Sequence, residues 1–187
     1  TLFPYTTLFR SGFDNGLGQI QEWILSGREC PVAEVRGKVH EMDIRKDYLD
    51  FLLKYKEDWS GLKIAVDVSN GMASLFVREI FGDQPSYIYE EMDGRFPNHE
   101  PNPLVQKNVQ ALKDLVAETG SDIGVIYDGD ADRVMFVDEN SRFISPDLMI
   151  AVLGHYFLEK RGEKGIVLQD IRSSKAVGEY LAPLGGE

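Results

Sequence analysis

Residues 121–140, SDIGVIYDGDADRVMFVDEN, set three acidic residues at alternate positions between two apolar runs. The runs at 123–127 and 134–137 are rich in Val, Ile and aromatic residues, and they have the length of buried strands. The pattern therefore predicts two neighbouring strands joined by an acidic loop, residues 128–133. The acidic trio of this loop is Asp128, Asp130 and Asp132.

The backbone of the acidic loop has to curl if the three carboxylates are to act together. In a straight strand Asp128 and Asp132 would stand about 13 Å apart, at ~3.3 Å per residue, too far for one ion to touch both. The intervening Gly129 and Ala131 are small residues that permit a bend. In the bent loop each pair of like charges costs about 4 kcal/mol at ~4 Å, with an effective dielectric of roughly 20. A cation is therefore expected.

Ligands that are all oxygen favour a hard divalent ion, with Mg²⁺ first and Mn²⁺ or Ca²⁺ next. Arg133 directly follows the acidic trio, and a guanidinium binds phosphate oxygens in a bidentate manner. A divalent ion beside an arginine, at the C-terminal end of a strand in a layered sheet, is typical of a phosphate-handling site. We expect the trio to hold Mg²⁺ and Arg133 to contact phosphate.

Three alternatives share the acidic spacing. A solvated surface turn is disfavoured by the apolar runs on both sides of the loop. An EF-hand loop would explain Glu139 at its twelfth position, but its sixth position, which requires Gly, is Arg133. A haloacid-dehalogenase-like phosphatase would use Asp128 as an aspartyl nucleophile in D-x-D-x-[TV], but the fifth residue here is Asp132. Such a phosphatase, or a non-enzymatic Ca²⁺-binding module, remains the alternative to the Mg²⁺ site.

Strand-like and helix-like segments alternate on both sides of the acidic loop, which indicates βαβ units. The further predicted strands cover residues 63–68, 86–89, 142–144 and 165–169. The predicted helices cover residues 13–26, 43–56, 73–81, 105–119, 145–160 and 175–181. The expected fold class is α/β, a layered mixed and mostly parallel sheet with flanking helices, plus parts of neighbouring α/β domains.

Composition and charge narrow the classes of partner. The 187 residues include 31 acidic and 20 basic side chains, for a net charge of -11, with no basic cluster. This balance argues against nucleic acids and anionic membranes as partners. No apolar run approaches the roughly 20 residues of a membrane-spanning helix. The one cysteine, Cys30, cannot form an internal disulfide, so a reducing cytoplasm is the expected compartment.

Four stretches resemble, in order and spacing, motifs of the α-D-phosphohexomutase family, the phosphomannomutases and phosphoglucomutases. DGDADR at 128–133 is similar to the metal-binding loop of that family, whose usual wording is DGDGDR. VDVSNGMA at 66–73 resembles the turn that opens its second domain, and DGRFPNHEPNP at 93–103 resembles a loop of very similar wording. LQDIRSSKAV at 168–177 resembles the first strand and loop of its third domain.

The resemblance implies an enzyme that interconverts hexose 1-phosphate and hexose 6-phosphate. In that family a phosphoserine donates its phosphoryl group to the sugar phosphate, and the bisphosphate intermediate reorients before it returns the other group. Carried over residue by residue, Asp128, Asp130 and Asp132 would hold Mg²⁺, Arg133 would contact phosphate, and Arg172 would reach the sugar phosphate. The wording QDIRSS before the last helix favours mannose or glucose over glucosamine, and does not separate the first two.

Several polar residues receive no catalytic role. The family's phosphoserine motif has no counterpart in the sequence, and Ser69, Ser173 and Ser174 belong to other motifs. Asp67, inside an apolar strand, is expected to be a structural hydrogen-bonding acid. His99, in a loop rich in Pro and Asn, is expected to order that loop.

The resemblance also predicts the domain organisation. Residues 1–11 are similar to a translated sequencing-library adapter and are set aside. Residues 12–42 are expected to be the C-terminal helix of a first domain and a linker, 43–160 the metal-binding domain, and 161–187 the start of a third domain. The chain is thus expected to be an internal fragment that lacks domain four and most of domains one and three. We expect it to bind metal without turnover on its own.

Overall fold

The computed structural model describes residues 13–29, 32 and 34–186. The adapter-like segment 1–11 and Cys30 lie outside the described residues. The chain divides into two compact units, Thr1–Asp43 and Ile44–Glu187. In the first unit, a 3₁₀ turn at Phe13–Asn15 precedes helix α1, Leu17–Leu25. The further domain boundary at residue 160 stays a prediction.

A five-stranded sheet forms the centre of the second unit, and its strands are Ile64–Asp67 (β1), Ser86–Ile88 (β2), Ile123–Tyr127 (β3), Val134–Asp138 (β4) and Phe143–Ile144 (β5). Their order in the sheet is β2-β1-β3-β4-β5. Strand β1 pairs in parallel with β2 and β3, and β4 pairs antiparallel with β3 and β5. Within the described sheet β4 therefore runs against the other strands, which confirms a layered mixed α/β fold.

The helices of the second unit lie close to where apolar periodicity predicts them. The α-helices are Arg45–Leu52 (α2), Val77–Phe81 (α3), Gln110–Thr119 (α4), Pro146–His155 (α5) and Lys175–Leu181 (α6). Short 3₁₀ turns cover Leu53–Tyr55, Met72–Leu75, Gln106–Val109 and Ala182–Leu184, and a π-helical turn covers Tyr156–Lys160. No helix among the described residues has both the length and the apolar character needed to span a bilayer.

The two faces of the sheet carry separate hydrophobic clusters, because side chains alternate along each strand. One face packs against α4 and the 3₁₀ turn before it through a cluster of Ala65, Val109, Leu112, Val116, Ile126 and Val137. The other face packs against α3 through a cluster of Ile64, Val66, Val68, Val77 and Val125. Helices thus pack on both faces of the central strands, and the loops that leave the C-terminal ends of these strands start from a packed core.

The strand predicted at 165–169 is wrong. In the described chain this segment makes a single parallel bridge, between Gly165 and Gly186. Its side chains Ile166 and Leu168 are exposed. A strand requires a ladder of hydrogen bonds to a neighbouring strand, and alternating apolar residues alone do not supply that neighbour.

Candidate metal centre

The acidic loop joins β3 to β4 at the C-terminal end of β3. The Asp128 N–H donates to the Arg133 carbonyl at 3.1 Å, and the Ala131 N–H donates to the Asp128 carbonyl at 3.3 Å. Ala131 adopts a φ of 60°, in the left-handed region that closes the bend. The backbone therefore curls as the spacing predicted, and a non-glycine residue makes the turn.

The curl brings the acidic trio together. Asp128, Asp130 and Asp132 each offer a carboxylate oxygen within 4.8 Å of the others. Asp128 is fully buried, whereas Asp130 and Asp132 are exposed. The pKa of Asp132 is raised, because Asp130 first and Asp128 second place negative charge beside it. A divalent cation would relieve this repulsion, and an all-carboxylate donor set suits Mg²⁺, so these residues fit a metal ion.

Arg133 is anchored beside the acidic trio. Its Nε donates to Asp128 Oδ2 at 2.5 Å, and its backbone N–H donates to Asp128 Oδ1 at 3.0 Å. Burial, the largest influence on Asp128, raises its pKa, but the bonds from Arg133 outweigh burial and leave the pKa lowered. The Arg133 Nη1 also donates to Asn102 Oδ1 at 3.3 Å. A buried, ionised carboxylate thus fixes a half-exposed guanidinium at the loop.

The turn that follows β1 packs against the backbone of the acidic loop. Ser69 Oγ donates to the Tyr127 carbonyl at 2.6 Å, and the Met72 N–H donates to the Gly129 carbonyl at 2.9 Å. A Cβ at Gly71 would lie 2.7 Å from that same Gly129 oxygen, so this position has room for glycine alone. The SNGM wording at 69–72 therefore reflects the close approach of two loop backbones.

The loop between β2 and α4, residues 90–103, covers the same edge of the sheet. Asn98 Nδ2 donates to Asn70 Oδ1 at 2.8 Å, and His99 Nε2 lies 3.1 Å from Asp67 Oδ2. Asn102 in this loop supplies the contact to Arg133 described above. No motif or spacing in the sequence assigns a role to Asn102. The sequence feature that points to Asn102 is the polar loop after β2. The C-terminal end of β2 lies at the same edge of the sheet as the C-terminal end of β3.

Arg172, the other predicted phosphate ligand, lies on a separate segment before α6. Its Nε donates to Asp170 Oδ1 at 2.8 Å, and its Nη2 donates to Asp170 Oδ2 at 3.2 Å. The hydrogen bonds from this exposed guanidinium lower the pKa of Asp170 to about 2. The structure gathers the acidic trio and Arg133 in one loop and pairs Arg172 with its own neighbour.

Two curated relatives and one solved structure align with most of this chain. The phosphoglucomutase of Neisseria meningitidis serogroup A is 30% identical over 159 residues, which cover 83% of this chain and 34% of that protein. The phosphomannomutase of Methanocaldococcus jannaschii is 34% identical over 152 residues, 78% of this chain and 33% of that protein. A crystal structure of a phosphoglucomutase/phosphomannomutase family protein from Burkholderia thailandensis matches with a TM-score of 0.78 and 26% identity, over 91% of this chain and 38% of that one.

The family model described as phosphoglucomutase/phosphomannomutase, alpha/beta/alpha domain II, matches residues 46–141. This range includes strands β1 to β4 and the whole acidic loop. The chain spans about a third of the length of the named relatives. It belongs to the phosphoglucomutase/phosphomannomutase family.

Proposed function

We propose that this chain is the metal-binding part of a Mg²⁺-dependent phosphohexomutase. The parent enzyme would interconvert the 1-phosphate and 6-phosphate of mannose or glucose through a phosphoserine and a bisphosphate intermediate. The observation that supports the metal site is the convergence of three carboxylates within 4.8 Å, beside an anchored arginine. Membership of the family supports the class of reaction.

Each residue of the site has a separate task in this proposal. Asp128, Asp130 and Asp132 would hold the ion, and a bound Mg²⁺ neutralises charge on a phosphoryl group in transfer. Arg133 would bind phosphate oxygens, and the buried Asp128 carboxylate would keep the guanidinium in place while it does so. Arg172 would contact the phosphate of the sugar substrate.

The remaining parts of the mechanism lie outside these residues in our proposal. The nucleophilic serine would come from the first domain of the parent, and the choice of sugar from its third. Sequence identity does not decide whether the parent acts on mannose or glucose phosphate, since the phosphoglucomutase and the phosphomannomutase described above are 30% and 34% identical to this chain. We therefore expect the 187-residue chain to bind metal without mutase turnover, and we expect the parent to reside in the cytoplasm.

Calorimetric titration of the chain with Mg²⁺ and with Mn²⁺ tests the proposal. We expect one site, and we expect Asp130→Asn and Asp132→Asn each to weaken binding by about tenfold or more, equivalent to ~1.4 kcal/mol. Asp114→Asn is the matched control, because Asp114 is an exposed carboxylate on α4 that contacts Gln110 and lies outside the loop. This variant should bind both ions as the wild type does.

Three results would contradict the proposal. Absence of Mg²⁺ and Mn²⁺ binding by the wild type would remove the metal site. Strong preference for Ca²⁺ over Mg²⁺ would favour a Ca²⁺-binding module, since the smaller ion demands tighter octahedral geometry. Beryllofluoride trapped on Asp128 would favour a phosphatase with an aspartyl nucleophile.

A further inference from the structure

Both ring nitrogens of His99 face oxygen acceptors. Nε2 lies 3.1 Å from Asp67 Oδ2, and Nδ1 lies 2.9 Å from the Glu100 carbonyl oxygen. A neutral imidazole carries one N–H, so only the imidazolium can donate to both oxygens. The His99 side chain is 10% exposed and that of Asp67 is 0% exposed. A buried carboxylate and a nearly buried imidazole ring therefore form a pair at the end of β1.

The surroundings of the ring agree with this charge state. The titratable groups that face it are Asp67, from β1, and Tyr89, whose ring packs edge-on at 5.4 Å between centroids. The other oxygen of Asp67, Oδ1, accepts the Ser69 N–H at 2.8 Å, which suits an ionised carboxylate. The hydrogen bond to Asp67 raises the pKa of His99, against the opposing effect of burial.

A short path of hydrogen bonds leads from this ring to the acidic loop. The Glu100 carbonyl that faces His99 also accepts the Asn102 N–H at 2.8 Å. The Asn102 carbonyl accepts from Asn108 Nδ2 at 2.9 Å, which holds the same turn from its other side. The Asn102 Oδ1 then accepts from Arg133 Nη1 at 3.3 Å. The Asn102 side chain that contacts the guanidinium therefore belongs to a turn whose Glu100 carbonyl also faces the His99 ring.

We propose that His99 is a positioning residue, held as an imidazolium between Asp67 and the Glu100 carbonyl so that the Asn102 amide orients Arg133. The inference deepens the proposed function and rests on it, because Arg133 is the phosphate contact in that proposal. Loss of the ring proton removes one of the two ring bonds. The turn at 99–102 then loosens, and the orientation of Arg133 changes with it.

NMR spectroscopy of the metal-free wild-type chain over a range of pH tests this path without any substitution. The ¹⁵N shifts of the two ring nitrogens report the protonation of His99, and the ¹⁵Nε resonance of Arg133 reports its bond to Asp128. We expect both ring nitrogens to carry protons at about pH 6, below the raised pKa of His99. The Arg133 resonance should move with the same midpoint as His99. A neutral ring at this pH, or an Arg133 resonance indifferent to the titration of His99, would overturn the inference.

Two variants separate the path from a general effect on folding. Asn102→Ala removes the side-chain contact with Arg133 and keeps the His99–Asp67 pair. The pKa of His99 should therefore stay raised, while the ¹⁵Nε resonance of Arg133 should no longer follow the titration of His99. His155→Gln is the control, because the His155 ring contacts Tyr180 and Glu159 instead. In this variant the pKa of His99 should stay raised and the Arg133 resonance should still follow the titration of His99. Persistence of the Arg133 response in Asn102→Ala would refute the path.

Mn²⁺ titration of the wild type keeps the two proposals distinguishable. If Mn²⁺ does not bind, the proposed function fails, and the coupled titration of His99 and Arg133 still tests the path by itself. If Mn²⁺ binds and the coupling is missing, the path fails while the metal site stands.

Discussion

Ala131 makes the bend of the acidic loop in a conformation that residues with a Cβ seldom adopt. Its φ is 60°, and the left-handed region costs a residue other than glycine roughly 1–2 kcal/mol. The DGDGDR motif of the family, which the acidic loop resembles, has Gly at this position. The chain therefore maintains backbone strain between two members of the acidic trio.

Replacement of this residue by glycine should relieve the strain. Glycine costs roughly 0.5–1 kcal/mol in backbone entropy, so we expect Ala131→Gly to raise the free energy of unfolding by up to about 1 kcal/mol. Urea denaturation of the metal-free chain measures the difference. Ala117→Gly, on the exposed face of α4, is the matched control and should lower the same quantity by about 1 kcal/mol. Equal losses in the two variants would contradict strain at Ala131.

The pair of His99 and Asp67 should make stability depend on pH. The pKa of His99 is raised in the folded chain, chiefly by the hydrogen bond to Asp67. The stability that this adds is fully present below the unfolded pKa of about 6.5, and it is lost as pH rises through the folded pKa. We expect the gap in unfolding free energy between wild type and His99→Gln to be larger at about pH 6 than at about pH 9, by urea denaturation. A gap that grows with rising pH would contradict the pair.

The contact between β3 and α4 depends on one small residue. Gly124 is buried in β3, and a Cβ there would lie 2.8 Å from Val116 Cγ2 and 3.1 Å from Leu112 Cδ1. Packed interiors resist added volume, because neighbouring side chains must leave their preferred rotamers. This close approach fixes the strand whose C-terminal end carries the acidic loop.

An added methyl group should therefore weaken this interface. We expect Gly124→Ala to lower the free energy of unfolding by roughly 1–3 kcal/mol, measured by urea denaturation. Gly61→Ala is the control, because a Cβ at Gly61 meets no atom within 4 Å and its effect should be small. A loss at Gly61 as large as the loss at Gly124 would show that overpacking is not the cause.

Single elements differ in how far local sequence could predict them. The apolar positions of 105–119 predict the helix, of which the first residues, Gln106–Val109, form a 3₁₀ turn and the rest form α4. Gly120, with a φ of 61°, ends α4 where glycine was expected to stop it. The segment 165–169 has the pattern of a strand and lacks a neighbour to pair with, so periodicity alone misassigned it.

Metal binding should be coupled to the stability of the whole chain. An ion that binds only the folded state adds about 2.7 kcal/mol at a concentration of roughly 100 times its Kd. We expect Mg²⁺ to raise the melting temperature of the wild type and to raise that of Asp130→Asn much less. Without Mg²⁺ the variant should have the higher melting temperature of the two, because it removes one negative charge from a trio within 4.8 Å. Scanning calorimetry with and without Mg²⁺ measures both effects. If the same protein melts at the higher temperature under both conditions, the result would contradict a shared ion site.

By itself the sequence determined the features that depend on near neighbours in the chain. The acidic trio, Arg133 and the strands on either side of them follow from spacing and alternation within twenty residues. Tertiary structure alone decided which side chains meet there. The contact of His99 with Asp67 joins residues 32 apart, and that of Arg133 with Asn102 joins residues 31 apart. These contacts exist because parallel strands β1, β2 and β3 bring their C-terminal loops to one edge of the sheet, and no local pattern records which loops share an edge.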